Sequence, residues 1–261
     1  MTDLIQFTTN ENNIAILRLN RPKVRNALNW AAQEAFATAV TQAQQNPNLR
    51  ALIITGTGDQ AFAAGGDLKQ LQHHLTSDDG ARLNRIMSRA LHQLTQLPIP
   101  VIAAINGDAF GGGCEILTAC DLRLARDNAT FYFAQIRNAV TTGWGGAARL
   151  VPLVGASRAM ELLLTGRPLN AHEAQQIGFI HRLIPAAGDP LDAALGWAAE
   201  LNQLPRHTLA ALKQLVHAAS HQPVAATYQL ESQLFVDLWT SPDHLEAVAA
   251  FAQKRPPQFN Q

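Results

Sequence analysis

The stretch Asn106-Gly107-Asp108-Ala109-Phe110-Gly111-Gly112-Gly113-Cys114-Glu115 constrains the fold of this chain more than any other. The apolar run Pro100-Val101-Ile102-Ala103-Ala104-Ile105 before it reads as a buried strand, and Ile116-Leu117-Thr118-Ala119-Cys120 after it reads as a helix. A chain that passes from strand to helix through three glycines presents bare backbone N–H groups at the helix start. Glycine has no Cβ, so a ligand can come close to that backbone. Glu115 stands two residues past the last glycine and adds a titratable carboxylate. Donors for an oxyanion beside a proton carrier describe a reaction centre rather than a mere turn.

A second loop has the same design. Ala61-Phe62-Ala63-Ala64-Gly65-Gly66-Asp67-Leu68-Lys69 follows the strand-like run Ala51-Leu52-Ile53-Ile54-Thr55-Gly56, and small residues again end a strand and open a helix. Each loop can supply one N–H. Two converging donors suit a carbonyl that becomes an enolate oxygen, and losing one such donor typically costs roughly 3 kcal/mol of barrier. Either loop alone reads as an ordinary strand-to-helix turn; the pair, with Glu115 in place, does not.

At 261 residues and 47% hydrophobic content, the chain can bury a substantial core, as one domain with an appendage. Lys+Arg and Asp+Glu both number 20, and this balance argues against a surface built for nucleic acid or an anionic membrane. Cys114 and Cys120 both lie in the apolar strand–helix region and read as reduced core thiols. The start Met1-Thr2-Asp3-Leu4 lacks a basic and apolar leader, and no stretch approaches the roughly 20 apolar residues of a membrane span. A cytoplasmic, soluble protein is expected. Other chemistries find no support. The adjacent His73-His74 pair cannot aim both rings at one metal from a helix face and reads as solvated surface, so no metal is expected. There is no P-loop, Gly111 to Gly113 is not a dinucleotide fingerprint, and Ser157 and Ser241 lack the surroundings of a nucleophile elbow.

Along the chain, residues 4–8 and 14–19 read as a hairpin around Asn10-Glu11-Asn12-Asn13, and Ala31 to Gln45 as a helix with Phe36, Val40 and Ala43 on one face. Strands at 51–56, 100–105 and 121–125 alternate with a helix around Asp79 to Gln96 and the turn at 106–115, which implies an α/β fold with right-handed crossovers. From Gly155 onward the pattern is helical. Helices are expected at Asp189 to Leu201, Pro205 to Ser220, Gln222 to Trp239 and Pro242 to Gln253, the last capped by Ser241. Leu230, Leu234, Phe235 and Leu238 form an apolar stripe, which reads either as core packing or as an interface.

Asn20-Arg21-Pro22-Lys23-Val24-Arg25-Asn26-Ala27-Leu28, then Ala61 to Lys69, then Asn106 to Glu115 resemble, in order and spacing, the crotonase (enoyl-CoA hydratase/isomerase) superfamily. Gly145-Gly146-Ala147-Ala148-Arg149-Leu150, Leu164 to Arg167, Ala171 to Ala174 and Phe251 to Arg255 agree, so the resemblance covers nearly the whole chain. It implies a spiral of ββα units as a catalytic core over residues 1–195, with a C-terminal helical trimerisation region over 196–261. It implies an acyl-CoA thioester substrate and a homotrimer or a dimer of trimers (a hexamer). Coenzyme A would belong to the substrate, so no separate cofactor is expected.

By the matching motifs, the N–H groups of Gly66 and Gly112 would form the oxyanion hole. Val24, Arg25, Ala64, Gly66, Asp67, Leu68, Lys69 and Gly112 would contact the coenzyme A moiety, and Lys254 would reach a phosphate, often across a subunit boundary. Hydratases of the family use two glutamates; Glu115 matches the first, and the place of the second falls on Gln135. An amide orients a water but carries no proton near pH 7. A generic enoyl-CoA hydratase/isomerase activity ranks first. Decarboxylation of a methylmalonyl- or ethylmalonyl-type CoA is the alternative, favoured by Gln135 and by Trp144 in Thr141-Thr142-Gly143-Trp144-Gly145-Gly146. A non-catalytic acyl-CoA binder is the third reading.

Overall fold

The structure, a computed structural model, describes residues 3–259; Met1 and Thr2 of the N-terminal reading lie outside that span. The chain opens with the expected hairpin, β1 (Ile5–Thr9) antiparallel to β2 (Ile14–Leu19). Helix α1 (Trp30–Gln45) follows, capped by Asn29, whose side chain accepts the Ala32 N–H at 2.9 Å. Its Phe36, Val40 and Ala43 are buried together, as their spacing predicts.

Next a long strand, a short strand and a helical segment recur three times. The first turn is β3 (Ala51–Gly56), β4 (Ala61–Ala63), α2 (Leu68–Leu71) and α3 (Ser77–Thr95). The second is β5 (Val101–Ile105), β6 (Asp108–Phe110) and α4 (Gly112–Thr118). The third is β7 (Leu122–Arg126), β8 (Thr130–Tyr132), a 3-10 turn at Ala134–Asn138, α5 (Gly146–Val154) and α6 (Ala156–Thr165). Then come β9 (Pro168–Asn170), α7 (Ala171–Gln176) and β10 (Arg182–Ile184). Helices α8 (Pro190–Asn202), α9 (Arg206–His221), α10 (Val224–Trp239) and α11 (Pro242–Ala252) complete the chain.

The long strands build one sheet, β1-β2-β3-β5-β7-β10, parallel from β2 onward, and the short ones build a second, β4-β6-β8-β9. The expected spiral of ββα units is therefore present. Two details differ from the expectation. Neither strand 51–56 nor strand 100–105 runs directly into a helix, because β4 and β6 intervene. The region after Gly155 is not wholly helical, since β9 and β10 interrupt it. Three-residue strands are stabilised by the neighbours they pair with and leave no periodicity to read.

Between β3 and β4, and again between β5 and β6, the backbone turns a tight corner. A Cβ on Gly56 would lie 2.6 Å from the Phe62 carbonyl oxygen, and one on Gly107 would lie 2.6 Å from the Gln60 carbonyl carbon. Two buried asparagines bind these corners. Asn106 accepts the Gly56 N–H at 2.9 Å and donates to Gly58 O at 2.8 Å; Asn26 donates to Ala61 O at 2.8 Å. Each glycine loop thus leaves a short strand whose position the large sheet fixes.

The main core lies between the two sheets, α1 and α3, and includes Phe36, Leu52, Ile54, Phe62, Leu91 and Phe131. A second core joins the other face of the large sheet to Ala194 and Ala198 of α8, which crosses residue 195. With both faces covered, β3 and β5 are buried throughout, which is why they read as unbroken apolar runs. Each large side chain here contributes about 1.5–3 kcal/mol. Cys114 and Cys120 are buried free thiols, and burial pushes both up, Cys120 to about 12. His73 and His74 are exposed.

Beyond α8 burial thins out. Helix α10 has no fully buried residue. The expected stripe divides: Leu230, Leu234 and Leu238 are half-buried, whereas Phe235 is 61% exposed, beside Tyr228, Val236 and Trp239, all likewise exposed. Among the described residues, no helix is long and apolar enough to cross a membrane.

Candidate active site

Segment 25–28 runs alongside the first glycine loop. Ala64 N–H donates to Arg25 O at 2.9 Å, Leu28 N–H to Gly65 O at 2.7 Å, and Asp67 N–H to Leu28 O at 3.1 Å. Arg21 Nη1 locks the pairing by binding Asp67 Oδ2 at 2.8 Å. The two glycine loops then meet backbone to backbone. Gly65 adopts φ +78°, and a Cβ there would sit 2.8 Å from Gly112 N. One on Gly113 would sit 2.2 Å from Ala63 O. Only glycine permits this approach. The N–H groups of Gly66 and Gly112 find no acceptor among the described residues, and both residues are only half-buried. Gly66 and Gly112, expected as the two donors, thus lie on loops that touch.

Glu115 lies in the first turn of α4 and is 2% exposed. Its carboxylate is held by four donors. Oε2 accepts the N–H groups of Trp144 and Gly146, each at 2.8 Å; Oε1 accepts Gln135 Nε2 at 3.0 Å and Gly143 N–H at 3.3 Å. These fill the roughly four acceptor positions of a carboxylate. A buried carboxylate without such partners would be strongly unfavourable. Gly146 must be glycine, since a Cβ would lie 2.5 Å from Glu115 Cγ.

Arg149 braces this loop from behind. Its Nη2 donates to Trp144 O at 2.7 Å and its Nε to Thr118 Oγ1 at 3.1 Å, while Thr118 Oγ1 donates to Glu115 O at 2.7 Å. Burial lowers the Arg149 guanidinium from its ordinary value, and the Glu115 charge opposes that shift. Arg123, 1% exposed, ties down the other end of α4 by donating to the carbonyls of Leu117 at 3.2 Å, Cys120 at 2.5 Å and Phe179 at 2.6 Å.

The place predicted for the second carboxylate therefore lies against the first. Gln135 is buried, its Nε2 is committed to Glu115, and its Oε1 is buried with no donor among the described residues. Trp144, 4% exposed, lays its six-membered ring on Gly112: a Cβ there would be 2.3–2.8 Å from three ring carbons.

The remaining predicted residues are on the surface. Val24, Arg25, Leu68 and Lys69 are exposed and Ala64 is half-buried. Lys23, Arg25, Gly58 and Gln60 help to line a recess beside the first loop. Asp67 is not a free carboxylate but the ion-pair partner of Arg21. Lys254 is exposed beyond α11, and no hydrogen bond or ion pair ties it to either loop among the described residues. Sequence reasoning missed Asn26, Arg21, Arg123 and Arg149 as supports. It also missed the amides of Gly143, Trp144 and Gly146 as donors, since backbone groups carry no signature beyond the glycines around them.

Residues 9–261 match the family described as enoyl-CoA hydratase/isomerase. A probable enoyl-CoA hydratase of Mycobacterium bovis is 36% identical over 246 residues, 94% of each chain. The mitochondrial enoyl-CoA hydratase of Pongo abelii is 35% identical over 248 residues, 95% of this chain and 84% of that one. The crystal structure of an enoyl-CoA hydratase from Bacillus anthracis has a TM-score of 0.92 at 31% identity and covers 98% of this chain and 99% of its own.

Proposed function

The chain belongs to the enoyl-CoA hydratase/isomerase family, and on that premise we propose that it acts on an acyl-CoA thioester, with a hydratase/isomerase-type activity run by a single carboxylate. The thioester oxygen accepts the N–H groups of Gly66 and Gly112, which stabilise it as enolate charge develops. Glu115 takes a proton from water as the water oxygen bonds to Cβ, and the same carboxyl then returns that proton to Cα, which leaves it ionised again. Gln135 holds Glu115 through Nε2 and offers Oε1 to the second O–H of that water. The observation that carries this reading is the pairing of two open amides with a buried, fully hydrogen-bonded Glu115 beside an amide oxygen that lacks a donor.

One observation favours a second reading. A carboxylate with every acceptor position filled must shed a donor before it takes up a proton. Decarboxylation of a malonyl-type thioester avoids that step, because the breaking C–CO₂ bond leaves its electron pair in the enolate and only Cα protonation remains. Gln135 is neutral and so spares a substrate carboxylate the repulsion of a second glutamate, but its Nε2 is committed to Glu115 rather than to that carboxylate.

Coenzyme A is part of the substrate, and the chemistry needs no further cofactor. Lys23, Arg25 and Lys69 supply positive charge for its phosphates. The exposed apolar side chains of α10 and α11 suit a homotrimer or dimer of trimers, in which Lys254 reaches a neighbouring subunit's ligand. Incubation with crotonyl-CoA and, separately, ethylmalonyl-CoA, following loss of the enoyl absorbance and release of CO₂, tests the assignment. Hydration is expected. Release of CO₂ alone moves the activity to the second reading, and binding without turnover of either leaves an acyl-CoA binder.

A further inference from the structure

We propose that Trp144 limits the acyl chain this site accepts to short-chain thioesters; the inference rests on the thioester reading of Gly66, Gly112 and Glu115 given above. Those groups fix the substrate. Its carbonyl oxygen lies at the Gly66 and Gly112 amides, and its Cα faces Glu115. Trp144 is joined to both anchors: its N–H donates to Glu115 Oε2 at 2.8 Å, and its ring lies against Gly112. The indole therefore stands beside Cα, where the acyl chain continues away from the thioester.

This wall is held in place. Arg149 binds the Trp144 carbonyl at 2.7 Å, so the Trp144 peptides on both sides are hydrogen-bonded and the ring moves only by side-chain rotation. At 4% exposure the ring is packed on nearly every side. In an open apolar pocket each added methylene strengthens binding by about fourfold. Against a fixed indole that gain stops after the first few carbons.

The test compares equilibrium binding of butyryl-CoA and octanoyl-CoA, both saturated and unreactive to hydration, by calorimetry. Wild-type protein is expected to bind octanoyl-CoA no more tightly than butyryl-CoA. Trp144→Ala is expected to bind octanoyl-CoA at least tenfold more tightly than butyryl-CoA, with Trp144→Phe in between. The proposal is overturned if wild-type protein already gains tenfold from the longer chain, or if a folded Trp144→Ala keeps the wild-type ratio. Should Trp144→Ala fail to fold, the ratio in Trp144→Phe decides in the same way. Failure of wild-type protein to bind either thioester would instead overturn the reading of the site itself.

Discussion

Replacing Gln135 by Glu puts two carboxylates where one carboxylate and its donor now meet. Gln135 Nε2 and Glu115 Oε1 are 3.0 Å apart, and both residues are buried. With the charge centres about 4 Å apart and an effective dielectric near 20, the repulsion is about 4 kcal/mol. That is equivalent to about three pH units on the introduced carboxyl, measured from an ordinary value of about 4.3. A group whose proton affinity is raised on folding is harmless below its unfolded value. Its cost grows as pH rises through the raised folded value, here near pH 7. Gln135→Glu should therefore nearly match wild type in urea melts at pH 4 and lose about 4 kcal/mol at pH 8. With a urea slope of about 3 kcal/mol/M, the midpoint falls by about 1.3 M. Near neutrality the pair holds one proton and so contains both an acid and a base. Crotonyl-CoA hydration should rise by about 10²-fold or more, with a bell-shaped pH profile. Equal midpoints at the two pH values, or no gain in hydration, would show that the side chains are not partners in the way the hydrogen bond implies.

Three further outcomes follow from the same geometry. Glu115→Gln should lower turnover by about 10²–10⁴-fold and also lower the Tm, because either placement of its NH₂ faces two N–H donors; an unchanged Tm contradicts the donor cluster. Burial, reinforced by the Arg123 charge, holds His181 at about 4, and its Nδ1 accepts the Arg123 N–H at 3.2 Å. Its contribution to stability is thus intact above about pH 6.5 and lost as pH falls through 4, and an NMR titration midpoint near 6.5 would refute this. If the exposed face of α10 forms the proposed trimer, Phe235→Glu should give a smaller particle than wild type in light scattering; an unchanged mass would remove that face from the interface.

How legible the molecule was depended on whether a feature is local. Strands β3 and β5 could be read because both faces of the large sheet are covered, which leaves unbroken apolar runs. Helices α1 and α11 could be read from spacing and, for α11, from Ser241, whose side chain accepts the His244 N–H at 3.2 Å. The short strands could not, since β6 exists only because Ala109 pairs with Phe131 and Asp108 with Ala61, partners far away in sequence. The glycine loops, Glu115 and Gln135 were visible as residues, and the structure brings the last two into contact. The donors from 143–146 were not visible, because they are main-chain groups. Nor was the bracing by Arg149, whose partners Trp144 O and Thr118 are set by the packing of α5 on α4.

The two asparagines at the sheet corners have a consequence for how such a site diversifies. Asn26 and Asn106 bind carbonyls and amides of the chain itself, so the corners that carry the two glycine loops are held by the scaffold rather than by Glu115, Gln135 or Trp144. On the proposed reading of the site, a change at position 135 or 144 would alter the chemistry or the choice of substrate and leave those corners, and the loops they carry, in place.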